Sequence, residues 1–400
     1  MHLLVKNAKL IFPHTIMQNG WLLTENDQIV DFGAGAYDGA CCPDQTIDAD
    51  GRYLSPGFVD IHVHGGGGAD FRDCDLDASL TALRVHLKGG TTTIFPTISS
   101  VGLDATLDSI HSYNELKKHE SDFSGIPNLA GMHLEGPYFS YEQRGAQDES
   151  FLRNPDPSEY LRILESSEHI RRWAIACELP GALELAGELR RRGIVASIGH
   201  SNATTAQVYN AFAAGFSCVT HLYSGCSVIH RNGPFREGGV VEGAFLLDEL
   251  DAEVIGDGIH LPPDFLKLIF KVKGYDHIAL ITDCIRAGGM DNAEGTEVFD
   301  DKERTRRIYV ESGVAIMPDR KNFAGSIATT SRLVRTVRQQ ANVPLADAVR
   351  MASLNPARMQ HIDSLTGSIA KGKRADLVLF DEQIDISAVI VKGNMQYQHS

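Results

Sequence analysis

The chain has 400 residues, of which 43% are apolar and 22% charged, and its formal net charge is −15. This composition is that of a globular protein with room for one large domain and a smaller one. The negative charge, without a long basic block, argues against nucleic acid as a partner, and no apolar stretch of about 18 residues indicates a membrane span.

Short strands separated by turn residues are predicted at both ends of the chain. The first 55 residues contain LLVKNAKLIF, GWLLTENDQIVDFG and QTIDADGRYLSPG, which mix apolar residues with Gly, Asn and Asp. The C-terminal stretch GSIAKGKRADLVLFDEQIDISAVIVKGNMQYQ shows the same mixture of apolar runs and turn residues. Because neither end alone would make a stable sheet, we predict one small β-sandwich domain built from residues 1–55 and 362–400.

Between these ends, short apolar runs alternate with amphipathic stretches such as SLTALRVHLKGG and ALELAGELRRRG. The apolar runs are GFVDIHVH, TTTIFPTI, LAGMHLEGP, RRWAIACEL, IVASIGH, CVTHLY, AEVIGDGIH and HIALITDC. Eight strand–helix units over about 300 residues predict an α/β fold, a (β/α)8 TIM barrel, for residues 56–361. Residues 290–320 break this rhythm, and we interpret them as an insertion after the eighth strand, either a lid or a hairpin.

Histidines and carboxylates fall at the C-terminal ends of five of these strands. They are His62 and His64 on the first strand, Glu135 on the third, His200 on the fifth, His221 on the sixth and Asp283 on the eighth. The active site of such a barrel lies at this end, so these side chains are expected to converge. Residues two apart on a strand share a face, so His62 and His64 can bind one ion, and the glycines at 65–68 let the backbone pass close to it. The set suits a borderline divalent ion, Zn²⁺ or Fe²⁺.

The seven cysteines show no paired spacing, which predicts reduced thiols rather than disulfides or a zinc knuckle. The N-terminus has no signal-peptide pattern, so we expect a cytoplasmic protein. Cys226 and Cys284 are interpreted as inert packing thiols. His133 shares a strand face with Glu135, and it either supports a metal ligand or only packs in the core.

The chain resembles the amidohydrolase superfamily and, within it, the N-acetylglucosamine-6-phosphate deacetylases. The motifs that carry the resemblance are PGFVDIHVHG, HLEGPY, GHSNAT, THLY, DGIHLP, TDC followed by AGG, FAGS and GSIAKGKRADLVLFD. The last motif is widespread in the superfamily, whereas HLEGP together with GHSNAT is specific to the deacetylase branch. The resemblance implies metal-dependent hydrolysis of the acetamide of an amino-sugar phosphate to acetate and the free amine.

The resemblance also implies which residues bind metal. In that family the Glu of HLEGP and the His of GHSNAT and THLY bind one ion, and here these residues are Glu135, His200 and His221. Some members keep the strand-one pair and hold a second ion, which His62 and His64 would allow here.

The roles implied at the substrate follow from the same motifs. Asp283 of TDC would be the catalytic acid and base. His260 of DGIH and Arg236, downstream of THLY, would bind the sugar phosphate. Arg231 is the alternative to Arg236 as the phosphate-binding arginine. The family's arginine reaches across a dimer interface, so we expect a homodimer. The remaining residues expected to face the substrate are Ala146, Gln147, Ser224, Gly225, Phe323, Ala324, Gly325 and Ser326.

Three departures from the family pattern leave the sugar and the need for its 6-phosphate open. The stretch THLYSGCSVIHRNGPF is longer than the usual THLYNAM, Gln147 replaces a substrate-facing His, and Cys284 replaces an Ala. One alternative is an amidohydrolase for another N-acyl sugar or for a cyclic amide or aryl amine. Most cyclic-amide relatives use a carbamylated Lys on strand four, and RRWAIACEL contains no Lys. Another alternative is a non-catalytic, metal-stabilised scaffold or sensor.

Overall fold

The structure is a computed structural model that describes residues 1–39, 41–290, 294–302 and 304–399. Four residues of the predicted insertion, 291–293 and 303, and two residues of the predicted small domain, 40 and 400, lie outside the described residues.

The strands are numbered along the described part of the chain. They are β1 His2–Ile11, β2 Ile16–Glu25, β3 Gln28–Ala34, β4 Gln45–Asp48, β5 Tyr53–Pro56, β6 Phe58–Val63, β7 Gly65–Gly66, β8 Ala69–Asp70, β9 Thr91–Ser99, β10 Asn128–Leu129, β11 Met132–Glu135, β12 Ile170–Ile175, β13 Val195–Ile198, β14 Phe216–Val219, β15 His230–Asn232, β16 Phe235–Glu237, β17 Asp251–Ile255, β18 Ile278–Ile281, β19 Glu297–Phe299, β20 Arg307–Glu311, β21 Val314–Ile316, β22 Phe323–Ser326, β23 Leu377–Phe380, β24 Ile386–Val391 and β25 Asn394–Gln398.

The helices are numbered in the same way. They are α1 Leu76–Lys88, α2 Leu103–Lys118, α3 Pro157–Glu165, α4 Ala182–Arg191, α5 Thr205–Ala214, α6 Val240–Leu246, α7 Pro263–Lys273, α8 Thr330–Gln340, α9 Leu345–Met351 and α10 Leu354–Met359. Short 3₁₀ helices cover Phe71–Asp73, Glu120–Asp122, Tyr141–Gln143 and Glu149–Phe151. Among the described residues, every helix is too short or too polar to cross a lipid bilayer.

Eight parallel strands form a barrel in the order β6, β9, β11, β12, β13, β14, β17 and β18. The barrel closes at the C-terminal end of its strands, where the backbone N–H of His64 donates to the carbonyl oxygen of Cys284 at 2.8 Å. Helices α1 to α7 each connect two consecutive barrel strands, and α8 follows the last one. Each of the eight predicted apolar runs supplies one strand, so the predicted (β/α)8 barrel is confirmed.

Helix α5 illustrates how the sequence sets the bounds of these elements. The backbone N–H of Gln207 donates to the Thr204 hydroxyl, and the Thr204 N–H donates to the Gln207 side chain at 2.8 Å. This capping box satisfies backbone donors at the helix start. Gly215 ends the helix with φ 118, which a residue with a side chain rarely adopts. The next strand begins at once, and it leads directly to His221.

The two ends of the chain form one sheet in the order β25–β24–β23–β5–β1–β2–β3, with β4 also paired to β1. Strand β5 from the N-terminal segment pairs with β23 from the C-terminal one, and Leu54 lies opposite Leu379. Side chains alternate along β23: Leu377 and Leu379 pack inside the small domain, whereas Val378 and Phe380 pack with the barrel core. The predicted small β-sandwich domain of the two ends is therefore confirmed.

The limits of the two domains follow the apolar clusters. The buried residues packed inside the small domain run from Leu3 to Leu54 and from Ile369 to Ile390. We propose residues 1–55 and 362–400 as the small domain and 56–361 as the barrel.

The segment after β18 is a four-stranded antiparallel sheet, β19–β20–β21–β22, rather than a single hairpin. Its apolar cluster consists of Ile285, Ala287, Val298, Ile308, Val310, Ala315 and Ala324. We call β19–β22 the insertion sheet. The β19–β20 and β21–β22 connections, at one end of this sheet, line the cavity described below through residues that include Asp300, Arg306 and Lys321.

Glu382 links the small domain to helix α8 of the barrel. Its carboxylate accepts hydrogen bonds from Lys9 Nζ at 2.7 Å, Tyr53 Oη at 2.9 Å and Arg338 Nη2 at 3.2 Å. These contacts, that of Lys9 first, lower the pKa of Glu382 from 4.5 to about 2. Since half-exposed ion pairs contribute little, we expect Glu382→Gln to lower the free energy of unfolding at pH 7 by about 1 kcal/mol or less.

The pH dependence of this loss follows from the depressed pKa. The stabilisation by Glu382 is complete above its unfolded pKa near 4.5 and disappears as the pH falls towards about 2. Urea unfolding of wild type and variant should therefore converge across that window, with Glu165→Gln at the exposed end of α3 as control. A difference that stays constant with pH would contradict the assignment.

Candidate metal centre

Glu135, at the end of β11, is the side chain around which the four predicted histidine ligands gather. Its Oε1 lies 3.0 Å from His221 Nε2, 3.2 Å from His200 Nε2 and 3.5 Å from His62 Nε2. Its Oε2 lies 3.4 Å from His64 Nε2. All five side chains are buried. Residues that are up to 159 positions apart in the sequence thus meet at the C-terminal mouth of the barrel.

Asp283 lies beside the same cluster and faces the cavity. Its Oδ1 is 3.1 Å from His64 Nε2 and 3.5 Å from His62 Nε2. Two sets of side chains place their ligand atoms within 4.8 Å of one another, namely His62, His64 and Asp283, and His62, Glu135 and His221.

Each histidine is oriented through its other ring nitrogen, Nδ1. The partners are Glu253 Oε2 at 3.1 Å for His62, Ser99 Oγ at 3.0 Å for His64, Gln143 O at 2.8 Å for His200 and Ser224 O at 2.9 Å for His221. The two carbonyl partners require Nδ1 to carry the proton, which leaves the Nε2 lone pair aimed at the centre. The buried Nε2 of His62 has no hydrogen-bond partner among the described residues. These residues fit a metal ion, since metal-bound histidines are held in this way.

The backbone is strained at three of these positions. His200, His221 and Asp283 have φ values of 45, 29 and 45, in the left-handed region that side chains disfavour. Each residue comes two positions after the end of its strand. Strain of this kind persists where the surrounding structure imposes it, commonly at functional sites.

The charges in the centre leave room for a divalent cation. Burial raises the pKa of Glu135, but His62 and the other histidines around it hold this pKa well below its usual range, so the carboxylate is ionised. The neighbouring imidazoles likewise outweigh burial and lower the pKa of Asp283, and Arg172 does the same for Glu253. With the four histidines neutral, as metal ligands must be, the carboxylates of Glu135, Asp283 and Glu253 against the guanidinium of Arg172 leave an excess of two negative charges, which a divalent ion would offset.

A cavity of about 330 Å³ opens above the centre. Its walls include the predicted metal ligands His64, Glu135, His200 and His221 together with Asp283. Eight of the predicted substrate residues also line it: Ala146, Gln147, Ser224, Gly225, His260, Phe323, Ala324 and Gly325.

Two predicted substrate residues do not line this cavity. Ser326 is fully buried. Its backbone N–H donates to the carbonyl oxygen of Asp283 at 2.8 Å, and its hydroxyl donates to the backbone carbonyl oxygen of Thr282. It therefore holds the turn that carries Asp283, and its side chain does not face this cavity. Arg236 is exposed on the β15–β16 hairpin, opposite the equally exposed Arg231, and neither reaches the cavity of its own chain.

Gln147 contacts the central carboxylate rather than only the cavity. Its Nε2 donates to Glu135 Oε2 at 2.9 Å, and its Oε1 accepts from the Ser100 N–H at 3.2 Å. The His260 Nδ1 donates to Asp257 Oδ2 at 2.7 Å, and its ring packs 4.7 Å from that of Phe323. This leaves His260 Nε2 as the ring nitrogen available to a ligand.

His133, for which the sequence allowed either a supporting or a packing role, and the two cysteines interpreted as packing thiols lie behind the centre. His133 packs edge-on against His62, with ring centroids 4.5 Å apart, and its Nδ1 is 3.2 Å from Thr97 Oγ1. Cys226 and Cys284 are buried, and burial raises the pKa of both thiols, to about 12 for Cys226.

Several cavity and centre residues were missed by the sequence analysis. They are Glu253 and Arg172 below the histidines and Arg72, Asp300, Arg306 and Lys321 in the cavity wall. Glu253 and Arg172 carried a usable signal, because a charged residue within an apolar barrel strand needs a buried partner.

Comparisons with known proteins agree with this geometry. The model of the amidohydrolase family matches residues 53–396. The N-acetylglucosamine-6-phosphate deacetylase of Lysinibacillus sphaericus is 32% identical over 358 residues, 88% of this chain and 87% of that protein. The N-acetylgalactosamine-6-phosphate deacetylase of Escherichia coli O157:H7 is 31% identical over 384 residues, 95% of this chain and 97% of that protein.

A solved structure gives the same result. A mutant N-acetyl-D-glucosamine-6-phosphate deacetylase from Mycobacterium smegmatis, in complex with N-acetyl-D-glucosamine-6-phosphate, superposes with a TM-score of 0.88 at 30% identity. The match covers 99% of this chain and 100% of that one. The chain belongs to the amidohydrolase family.

Proposed function

We propose that the protein is a metal-dependent deacetylase. It hydrolyses the acetamide of N-acetylglucosamine 6-phosphate, or of a close N-acetyl amino-sugar phosphate, to acetate and the amino-sugar phosphate. The observation that carries this proposal is the gathering of four histidines around Glu135, with Asp283 beside them at the floor of a cavity. The similarity to deacetylases along nearly the whole chain supports the choice of substrate.

One or two divalent ions, Zn²⁺ or Fe²⁺, would be held by this set of ligands. Glu135, His200 and His221 form one side of the centre, and His62 and His64 form the other. A divalent ion bound there would lower the pKa of a bound water to about 7 and would polarise a carbonyl oxygen. The excess of two buried negative charges and the inward-facing Nε2 atoms support this assignment.

Asp283 is the proposed proton carrier of the reaction. Its carboxylate is ionised, since the neighbouring imidazoles keep its pKa low, so it can accept a proton from the attacking water. It then gives this proton to the nitrogen of the leaving amine, which cannot depart as an anion. His260, oriented by Asp257, would present its Nε2 to an oxygen of the sugar phosphate.

The substrate contacts are proposed for the residues of the cavity wall and for a second subunit. Ala146, Gln147, Ser224 and Gly225 bind one side of the sugar, and the FAGS stretch binds the other. Ser326 would act only through the turn of Asp283. The exposed β15–β16 hairpin supports a homodimer in which Arg236 reaches the partner's cavity, since Phe235 at its tip is 75% exposed. We also propose a cytoplasmic location, consistent with seven cysteines in the free state.

Hydrolysis of a cyclic amide is less well supported. Strand β12 presents Arg172, which is already paired with Glu253, and no lysine. Glu135 occupies the middle of the histidine cluster, where those relatives place their carbamylated lysine.

A substrate panel tests the proposed function. Metal-loaded protein should release acetate from N-acetylglucosamine 6-phosphate or from its galacto epimer. The relative rates on the two epimers and on their unphosphorylated forms then identify the sugar and the role of the phosphate. Inertness towards all four compounds would reject the proposal.

Arg236→Ala should raise KM for the phosphorylated substrate by about 10- to 100-fold, since a hydrogen bond to a charged group contributes about 1.5–3 kcal/mol. KM for the unphosphorylated sugar should barely change. Arg231→Ala is the matched control, because Arg231 lies opposite Arg236 with similar exposure. If the control shows the larger effect, Arg231 is the phosphate ligand, and equal effects on both sugars would remove either arginine from that role.

A further inference from the structure

We propose that the buried pair of Arg172 and Glu253 positions His62 and thereby determines whether the His62–His64 side of the centre holds an ion. This inference rests on the proposed metal centre. It concerns the number of ions that the chain binds, which the ligand set alone leaves at one or two.

Glu253 bridges Arg172 and the metal centre from below. It lies in the middle of β17 and is fully buried, like Arg172 on β12 and His62 on β6. Its Oε1 is 2.6 Å from Arg172 Nη2, and its Oε2 is 3.1 Å from His62 Nδ1. The same Oε2 accepts the backbone N–H of His221 at 3.2 Å. Glu253 therefore touches the imidazole of one ligand but only the backbone of the other.

His62 is distinguished from the other three histidines by this carboxylate. The Nδ1 atoms of the others face a hydroxyl oxygen or a backbone carbonyl oxygen, which are neutral acceptors. A carboxylate at Nδ1 fixes the orientation of the ring and makes its Nε2 a better electron donor to a cation. The position nearest to His62 should thus depend on Glu253 more than the position between His200 and His221 does.

Arg172 is the ion-pair partner of this carboxylate inside the barrel. A buried charge needs such a partner, and Arg172 Nη2 supplies it at 2.6 Å from Glu253 Oε1. The guanidinium is held in turn by Ser197, whose Oγ accepts from Nη2 at 2.9 Å. The pair is therefore a fixed support for one side of the centre.

Glu253→Gln tests this inference, because the amide keeps the size of the side chain and loses its charge. Bound zinc per chain is measured by equilibrium dialysis with elemental analysis, without any substrate. Wild type should bind two ions, and the variant should bind the weaker ion about 10- to 100-fold less tightly while the tighter ion is retained. Glu188→Gln is the matched control, since Glu188 is also a mostly buried glutamate paired with arginines, Arg191 and Arg192, but lies on α4.

The outcomes separate this inference from the proposed function. One ion per wild-type chain, unchanged affinity of both ions in the variant, or equal weakening of both would overturn it, the last being the result of general loosening. If Glu253→Gln fails to fold, the double change Arg172→Met with Glu253→Gln removes both charges and is judged by the same measurement. A protein that binds two ions in this way but deacetylates no sugar would leave the inference standing and reject the function.

Discussion

Asp283→Asn is expected to lower kcat by about 10²- to 10⁴-fold, the usual contribution of a positioned acid and base. The amide has nearly the same shape as the carboxylate, but it cannot accept a proton from water or pass one to the amine. Asp283 contacts His62 and His64, whereas Glu135 contacts all four histidines. Metal content should therefore stay near normal. Steady-state kinetics together with elemental analysis measure both quantities on one sample.

The matched control for this change lies at the other end of the barrel. Asp251 begins β17, and its carboxylate accepts hydrogen bonds from His277 at 2.9 Å and Arg358 at 3.0 Å. Asp251→Asn removes a buried, hydrogen-bonded carboxylate of the same type far from the cavity, so folded variant should keep its kcat. Loss of metal from Asp283→Asn, or undiminished turnover, would contradict the proposed role of Asp283.

Glu135→Gln should weaken metal binding by more than about 100-fold, which exceeds the usual effect of changing an outer hydrogen-bonding partner. The reason is geometric, since Glu135 alone among the described residues has oxygens within 3.5 Å of the Nε2 atoms of all four histidines. Turnover should fall with the metal content and should return only in part when the metal concentration is raised.

Thermal unfolding gives a second measurement of the same change. At a free metal concentration of 100 times Kd, binding adds about 2.7 kcal/mol to the stability of the folded state. Wild type should therefore show a higher Tm with metal, and Glu135→Gln should show almost none of this shift. Glu142→Gln, an exposed change in the 3₁₀ helix Tyr141–Gln143, should behave as wild type. A variant at Glu135 that keeps a full metal complement would exclude it as the central ligand.

The convergence of the site could be predicted because it follows from strand geometry. His62 and His64 are two apart on a strand, so they share a face whatever the rest of the chain does. Glu135, His200, His221 and the others were identified by position alone, because strand ends of a parallel barrel meet at one mouth. The positive φ angles at His200, His221 and Asp283 are imposed by tertiary contacts, and no local sequence pattern predicts them.

Other parts of the site depended on contacts that a single sequence does not reveal. Glu253 is recognisable as a charged residue within an apolar strand, but the sequence does not identify its partner, since Arg172 lies 81 positions away on another strand. Ser326 ends a motif whose other members line the cavity, yet its side chain turns to the backbone below. Which residues these side chains contact becomes known only from the three-dimensional arrangement of the strands.

The insertion sheet was likewise only partly predictable from the sequence. Its middle hairpin has a sequence signal, because the apolar run around Ile308 and Val310 is followed by the turn dipeptide Ser312-Gly313. In the structure both turn residues have positive φ. Its outer strands, β19 and β22, have three and four residues and carry too short a pattern.

The pairing of β5 with β23 has a consequence for synthesis of the protein. Some 320 residues separate the two strands, which at roughly 5–20 residues per second takes on the order of tens of seconds to translate. Throughout that time the nascent chain carries β1–β5 with the edge of β5 unpaired, and an open edge invites pairing with other chains. While the chain is still on the ribosome, the incomplete sheet β1–β5 would therefore be expected to bind chaperones until β23–β25 emerge.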